Sequence, residues 1–413
     1  MTGSAAPYLR FIADSWKFLG FGFLMAFSSS FGQTYFIGVF GPAIQLEFAL
    51  SHTEWGSVYM VGTLASALLL PWSGKQIDRL DLRHYTAIVC FLLILACSFA
   101  AVVSGPLTLI VGIFLLRQSG QGLMSHAAVT SMARYFDAGR GRAIAVASLG
   151  FGSGEAILPF LAVLIIATVG WRGTFFGAAI LLALVLVPMV FMLLGGHGSR
   201  HRAHLAKLQR ATGKNTPAVR SWTRGEVLRE TRFYLLLPAV TAPAMIGTAL
   251  FFHHLNLADA KDWSHQWVTG SYVVYASATM LASLTSGSLI DRFGATRLVP
   301  AMLVPLVFSM LVIAVFDSPW VVWPYLILLG IDVGIAYTAV SAMWAELYGV
   351  GHLGAIKSLA SALSVFASAL GPVVMGALMD HGLRIETVCV LFAVYALFAL
   401  GASLAALRKL RSR

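Results

Sequence analysis

Along the chain, runs of about 20 mostly apolar residues alternate with short polar segments, and each run is long enough to cross a ~30 Å hydrocarbon layer as a helix. Twelve helices are predicted, near 16–41, 54–74, 84–104, 107–132, 142–168, 172–194, 233–256, 266–288, 297–316, 320–345, 354–378 and 385–407. The first run is as long as the later ones and lacks a small-residue cleavage site, so it reads as a retained membrane helix. One long polar segment, His197 to Arg232, interrupts the series with nine Lys/Arg and a Gly-Lys-Asn-Thr-Pro break at 213–217. It reads as a linker with surface helices. The expected fold is an all-α membrane protein of 12 transmembrane helices in two pseudo-symmetric six-helix bundles, 1–195 and 233–413, joined by a cytoplasmic linker, 196–232.

The loops carry an internal repeat. Gly74-Lys-Gln-Ile-Asp78-Arg79-Leu-Asp81-Leu-Arg83 follows the second apolar run, and Gly287-Ser-Leu-Ile-Asp291-Arg292-Phe-Gly294-Ala-Thr-Arg297 lies 213 residues downstream. In each copy a glycine permits close helix approach, and Asp-Arg follows four residues later where the chain leaves the bilayer. Asp78/Arg79 and Asp291/Arg292 are therefore candidate gating latches. Ala133-Arg134-Tyr135-Phe136 matches Ala345-Glu346-Leu347-Tyr348 at nearly the same offset, 212 residues on. A repeat at half-length predicts two similar halves.

Composition narrows the class. Only 11% of residues are charged and 58% are hydrophobic, against about 25% charged in soluble domains. The net charge of +11 would point to nucleic acid in a soluble protein, but its distribution points to topology. Of the 28 Lys/Arg, 24 fall on the side of the termini; Arg172, Lys261 and Arg384 fall on the other, and Arg117 lies within a helix. The positive-inside rule then makes both termini, the Gly74–Arg83 loop and the linker cytoplasmic. Cys90, Cys97 and Cys389 all sit in apolar runs and read as packing residues.

Twelve helices in two halves, with basic glycine/Asp-Arg loops after helices 2 and 8, resemble the major facilitator superfamily of secondary transporters over nearly the whole chain. The first loop departs from that pattern, with Asp81 at a usual glycine. A narrower resemblance, to the monocarboxylate-transporter-like and oxalate/formate-exchanger-like branch, rests on helices 4 and 5. Its residues are Arg117-Gln-Ser-Gly120-Gln121-Gly122, Arg134-Tyr-Phe, Arg140-Gly-Arg142-Ala, Gly150-Phe-Gly152-Ser-Gly154, Pro159 and Gly170-Trp-Arg172. The resemblance implies alternating access of two bundles about a central site, and an organic anion as substrate. The Asp and Arg that proton-coupled monocarboxylate carriers place in helix 8 are absent from Tyr275 to Ser286.

Ionisable residues inside spans are costly and default to functional candidates. Arg117 offers a forked cation to a carboxylate; the bland alternative is a structural ion pair with Glu155 at similar depth. Asp332, near the middle of helix 10, and Glu155 are candidate proton carriers, and Asp332 is also a candidate substrate contact. Gln121 follows Arg117 by one turn and can share its ligand. His126 is also a proton-coupling candidate, though nine residues after Arg117 it points the opposite way and suits packing better. In helix 1 the polar stretch Ser28, Ser29, Ser30, Gln33, Thr34 and Tyr35 offers Gln33 and Tyr35 as substrate contacts, the serines being suited to helix packing. Tyr337 is kept among the substrate contacts, although it or Trp344 serves as packing or an interfacial anchor. His253, His254 and Asn256 end helix 7 as gate or interface residues.

These readings converge on a secondary transporter of a small organic anion in a bacterial-type inner membrane. Expected partners are the substrate and membrane lipids, with no cofactor, metal or nucleic acid, and a chain working as a monomer. There is no P-loop for ATP drive and no hydrolase signature. Two alternatives are efflux of lipophilic or drug-like compounds and a non-transporting receptor on the same fold. Helix 5 lacks the adjacent Gly-Pro that an antiporter motif would supply, which counts against efflux.

Overall fold

The computed structural model describes residues 5–136, 139–198, 222–349 and 352–411; most of the linker, 199–221, lies outside them. Among the described residues all regular structure is helical. Nine continuous helical segments are long and apolar enough to cross a membrane. One of these, Arg140–Leu193, turns sharply at Gly170, whose φ of 72° suits a residue without Cβ, and so counts as two spans. Two further spans lie outside those nine: an interrupted first helix, and His52–Gly74, which carries Glu54 in its first turn. The total among the described residues is twelve, as the hydrophobic pattern predicts.

We number the spans in chain order. α1 begins as Ala5–Ser28 and continues in pieces, Thr34–Gly38 and Gly41–Phe48. α2 is His52–Gly74, α3 Leu82–Ala101 and α4 Pro106–Tyr135; α5 and α6 are the two arms of Arg140–Leu193. α7 is Thr231–Phe252, followed by a short helix His254–Ala260. α8 is His265–Phe293, α9 Ala295–Val315, α10 Pro319–Tyr348, α11 Ala355–Asp380 and α12 Ile385–Leu407. Of the linker, only a five-residue helix, Arg224–Leu228, is described; a capping box between Thr223 and Glu226 starts it.

The spans predicted as single rods at α1 and α7 are broken. In α1 the Ser29 hydroxyl bonds back to the Ala26 carbonyl at 2.6 Å, competing with the backbone ladder. The chain tightens into a 3₁₀ turn, Ser29–Gly32, and Gln33 is extended at φ −85°, ψ 153°. A second break precedes Pro42, which has no N–H to donate and therefore starts a new helix. In α7 the break falls at His253.

The chain forms two compact units. One holds residues up to Phe36, Ala65–Leu158 and the chain from Leu164 into the linker; the other holds Ile37–Leu64, Pro159–Val163 and the carboxyl-terminal half. In the second unit α10 packs on α8 through Gly330 and Gly334. A Cβ at Gly334 would lie 2.4 Å from the Thr279 carbonyl oxygen, so backbone meets backbone.

At the termini end, the repeated loops are held differently in the two halves. Arg134, at the end of α4, donates to the Ile77 carbonyl at 3.0 Å and lies 3.7 Å from Asp78. Glu346, its counterpart at the end of α10, instead accepts from the Ala295 and Thr296 amides at 2.9 and 3.2 Å, capping α9. The repeat keeps the position and reverses the charge.

Candidate functional site

The break in α1 is gripped from two sides. Gly120 of α4 lies against Gly32: a Cβ there would sit 2.6 Å from the Gly32 nitrogen, and one on Gly32 would sit 2.1 Å from the Leu116 carbonyl oxygen. Gly150 and Gly154 of α5 bring that helix onto Phe23, Phe27 and Ser30 of α1. Irregular backbone at membrane depth persists only where protein or a water-lined cavity satisfies its polar groups. Arg117 does part of this. Its Nη1 donates to the Gly32 carbonyl at 3.1 Å and to the Thr34 hydroxyl at 3.4 Å, and the residue is 2% exposed. Tyr35 closes the turn, its hydroxyl 2.8 Å from that of Ser30.

Arg117 therefore sits at the point where α1 loses its helix, and no ion pair joins it to Glu155. Glu155 makes no hydrogen bond or ion pair among the described residues. Gln121 departs from the spacing argument. Residues Arg117–Met124 wind as a π-helix, which is wider than an α-helix, and this leaves Gln121 exposed while Arg117 is buried. Gln33 is half-buried in the extended residue between the pieces of α1. His126 lies against Gly74 of α2, with Nδ1 3.3 Å from the Thr130 hydroxyl, away from the break.

The remaining candidates lie elsewhere. Asp332 is fully buried in α10, and neither carboxyl oxygen has a hydrogen-bond partner among the described residues. Tyr337 is 70% exposed. Asp78 reaches Arg134, Arg79 and Asp291 are exposed, and Arg292 lies over the Phe293 ring, 5.2 Å from its centroid. His254 is buried between the hydroxyls of Tyr272, at 2.7 Å, and Tyr325. His253 faces the Pro372 carbonyl, its Nε2 at 2.9 Å.

Two contributors escape a reading of the sequence. Gln118 accepts from Ser66 at 2.9 Å and donates to Ser73 at 2.7 Å, tying α4 to α2; the seven-residue spacing of those serines, two turns on one face, is the signal that could have found it. Gly120 stands in the glycine-rich motif of helix 4, but its place against Gly32 follows only from knowing that α1 breaks opposite it.

Among the described residues, twelve spans in two repeated halves, one of them interrupted beside a buried arginine, make a multi-pass membrane protein. A family model described as Major Facilitator Superfamily matches residues 22–280 and 264–413. The chain belongs to that superfamily, and is a transporter rather than an enzyme. It is 23% identical over 353 residues to the uncharacterized MFS-type transporter YfnC of Bacillus subtilis (strain 168), a match that covers 82% of this chain and 81% of that one. Among solved structures it resembles a bacterial homolog of the human lysosomal transporter Spinster in an inward-facing, occupied conformation. The TM-score is 0.70 at 15% identity, over 97% of both chains. It also resembles the nucleoside transporter NupG, with TM-score 0.70 at 14% identity over 95% of this chain and 98% of that one. These two likenesses describe the fold.

Proposed function

We propose that the protein is a secondary transporter for a small organic anion such as a monocarboxylate, working by proton coupling or exchange, with Arg117 at its binding site. The observation that carries this reading is the Arg117 guanidinium placed on the broken segment of α1. Transporters build substrate sites at discontinuous helices, where backbone groups are released at membrane depth. An ionisable side chain inside a span is costly and defaults to a functional role, and a guanidinium matches a carboxylate bidentately. Gln33 and Tyr35 flank the same break and complete the contacts. The narrower resemblance of α4 and α5 to carboxylate carriers and exchangers supports the same substrate class.

Asp332 is the proton carrier in this reading, with Glu155 second. An ionised carboxylate buried without a partner costs several kcal/mol, so such a group is suited to binding a proton. The charge distribution supports cytoplasmic termini in a bacterial-type inner membrane.

The test is thermal stabilisation of the purified protein against small carboxylates, other anions and lipophilic cations, with Arg117→Ala in parallel. A ligand at about 100 times its Kd raises stability by about 2.7 kcal/mol. Carboxylates are expected to stabilise the native protein and not the variant. Stabilisation by lipophilic compounds alone, unchanged in the variant, would replace this reading with efflux.

A further inference from the structure

At the end of the bundle away from the termini, one carboxylate joins two helices that are distant in sequence. Asp380 is the last residue of α11, and His52 and Thr53 begin α2. Asp380 Oδ1 accepts from the His52 amide at 3.0 Å; Oδ2 accepts from the Thr53 amide at 2.7 Å and the Thr53 hydroxyl at 2.5 Å. Its own helix does not explain this residue. A negative charge at a helix carboxyl terminus opposes the helix dipole, whereas the same charge at an amino terminus is favoured. Asp380 is misplaced on α11 and well placed for α2.

The surrounding contacts run along one seam. A Cβ on Gly376 would lie 2.5 Å from the His52 carbonyl oxygen, and one on Gly56 would lie 2.8 Å from Pro372. Asn256 donates to Gln45 at 3.2 Å, joining the short helix after α7 to the last piece of α1. A Cβ on Gly38 would lie 2.4 Å from the Phe251 carbonyl oxygen. Every one of these contacts joins the first half of the chain to the second, within one compact unit.

We propose that Asp380 is the latch of the gate facing away from the termini: its carboxylate holds α2 against α11 while that gate is shut and releases the α2 amino terminus when it opens. The proposal rests on the transporter reading, since a latch has a use only in a chain whose helix ends separate. Glycine contacts supply fit without charge, so they close the seam, while the charged Asp380 cap sets how firmly it stays closed. Removing the cap shifts the balance toward the open seam without removing the packing.

The test places spin labels at Leu46→Cys and Arg384→Cys, both strongly exposed, and measures their distance distribution with and without Asp380→Asn. The native cysteines Cys90, Cys97 and Cys389 are buried and leave the labelling clean. Asp380→Asn keeps a capping oxygen and loses the charge, and is expected to raise the ratio of long to short distances about two- to fivefold. An unchanged distribution in the folded variant overturns the latch. Should Asp380→Asn not fold, Thr53→Val removes one of the three bonds and must give a smaller widening in the same direction; no widening there overturns the proposal equally. The labels need no substrate. A failure of carboxylates to stabilise the native protein would therefore sink the anion reading and leave this result standing.

Discussion

Arg117 donates to a buried backbone carbonyl and is also the proposed anion contact, and two substitutions separate these roles. Arg117→Ala deletes the donor on the Gly32 carbonyl and is expected to lower unfolding stability by about 1–3 kcal/mol, the cost of leaving a buried acceptor unmet. Arg117→Lys keeps the charge but loses the fork, so it should recover part of the melting temperature while carboxylate stabilisation stays weak. A ligand response in both variants equal to that of the native protein would make Arg117 a helix clamp only. That Arg117 is a candidate is readable from its position in an apolar run; that its partner is a carbonyl of α1 is not, because that carbonyl is released only when α1 breaks. A second residue-level case is Lys261. Its buried amine bonds to Asp317 at 2.6 Å and lies 3.5 Å from Glu386, and the hydrogen bond and charge of Lys261 hold the Asp317 carboxyl below its ordinary value. A depressed carboxylate adds stability above its unfolded pKa and loses it as the pH falls through the folded one. Native melting should therefore show a component lost below about pH 4, and Asp317→Asn should remove that component from a melting-temperature series against pH.

Helix positions follow from hydrophobic periodicity, and helix interruptions do not. A run such as Phe18 to Phe40 is apolar enough to read as one rod; its hydroxyls, Gly32 and the close approach of α4 and α5 decide together that it breaks. Likewise the π-helical turn at Arg117–Met124 leaves no periodic trace over eight residues; α-helical spacing pairs Gln121 with Arg117, whereas the structure buries Arg117 and leaves Gln121 exposed. Glycine substitutions test whether these contacts hold the break. Gly32→Ala forces a Cβ to within 2.1 Å of the Leu116 carbonyl oxygen, and backbone cannot yield as a side chain can. It should cost about 1–3 kcal/mol and lower binding together with stability. Gly247→Ala in α7 meets nothing within 4 Å and should be neutral, or stabilising by about 0.5–1 kcal/mol. A thermal melt of the two variants side by side checks this, and equal effects would contradict the packing account.

The halves of the molecule are visible as a repeat, but the grouping of the chain is not, since Ile37–Leu64 joins the unit built mainly from the carboxyl-terminal half. Repeats report ancestry of segments, whereas the contacts at Asp380, Gly376 and Gly38 depend on which helix ends meet. The proposed coupling also belongs to the whole molecule, because Arg117 and Asp332 lie on different helices of different halves. If one binds the anion and the other the driving proton, the two steps can be separated. Asp332→Asn keeps the shape of the buried group and removes its exchangeable acidic proton. The variant should fold, should still exchange labelled for unlabelled substrate across a vesicle membrane at equal pH, and should lose accumulation driven by an imposed pH gradient. Arg117→Ala should lose both. Gradient-driven accumulation that survives Asp332→Asn would move the proton to Glu155, and the same paired assay on Glu155→Gln would then show the exchange retained and the accumulation lost.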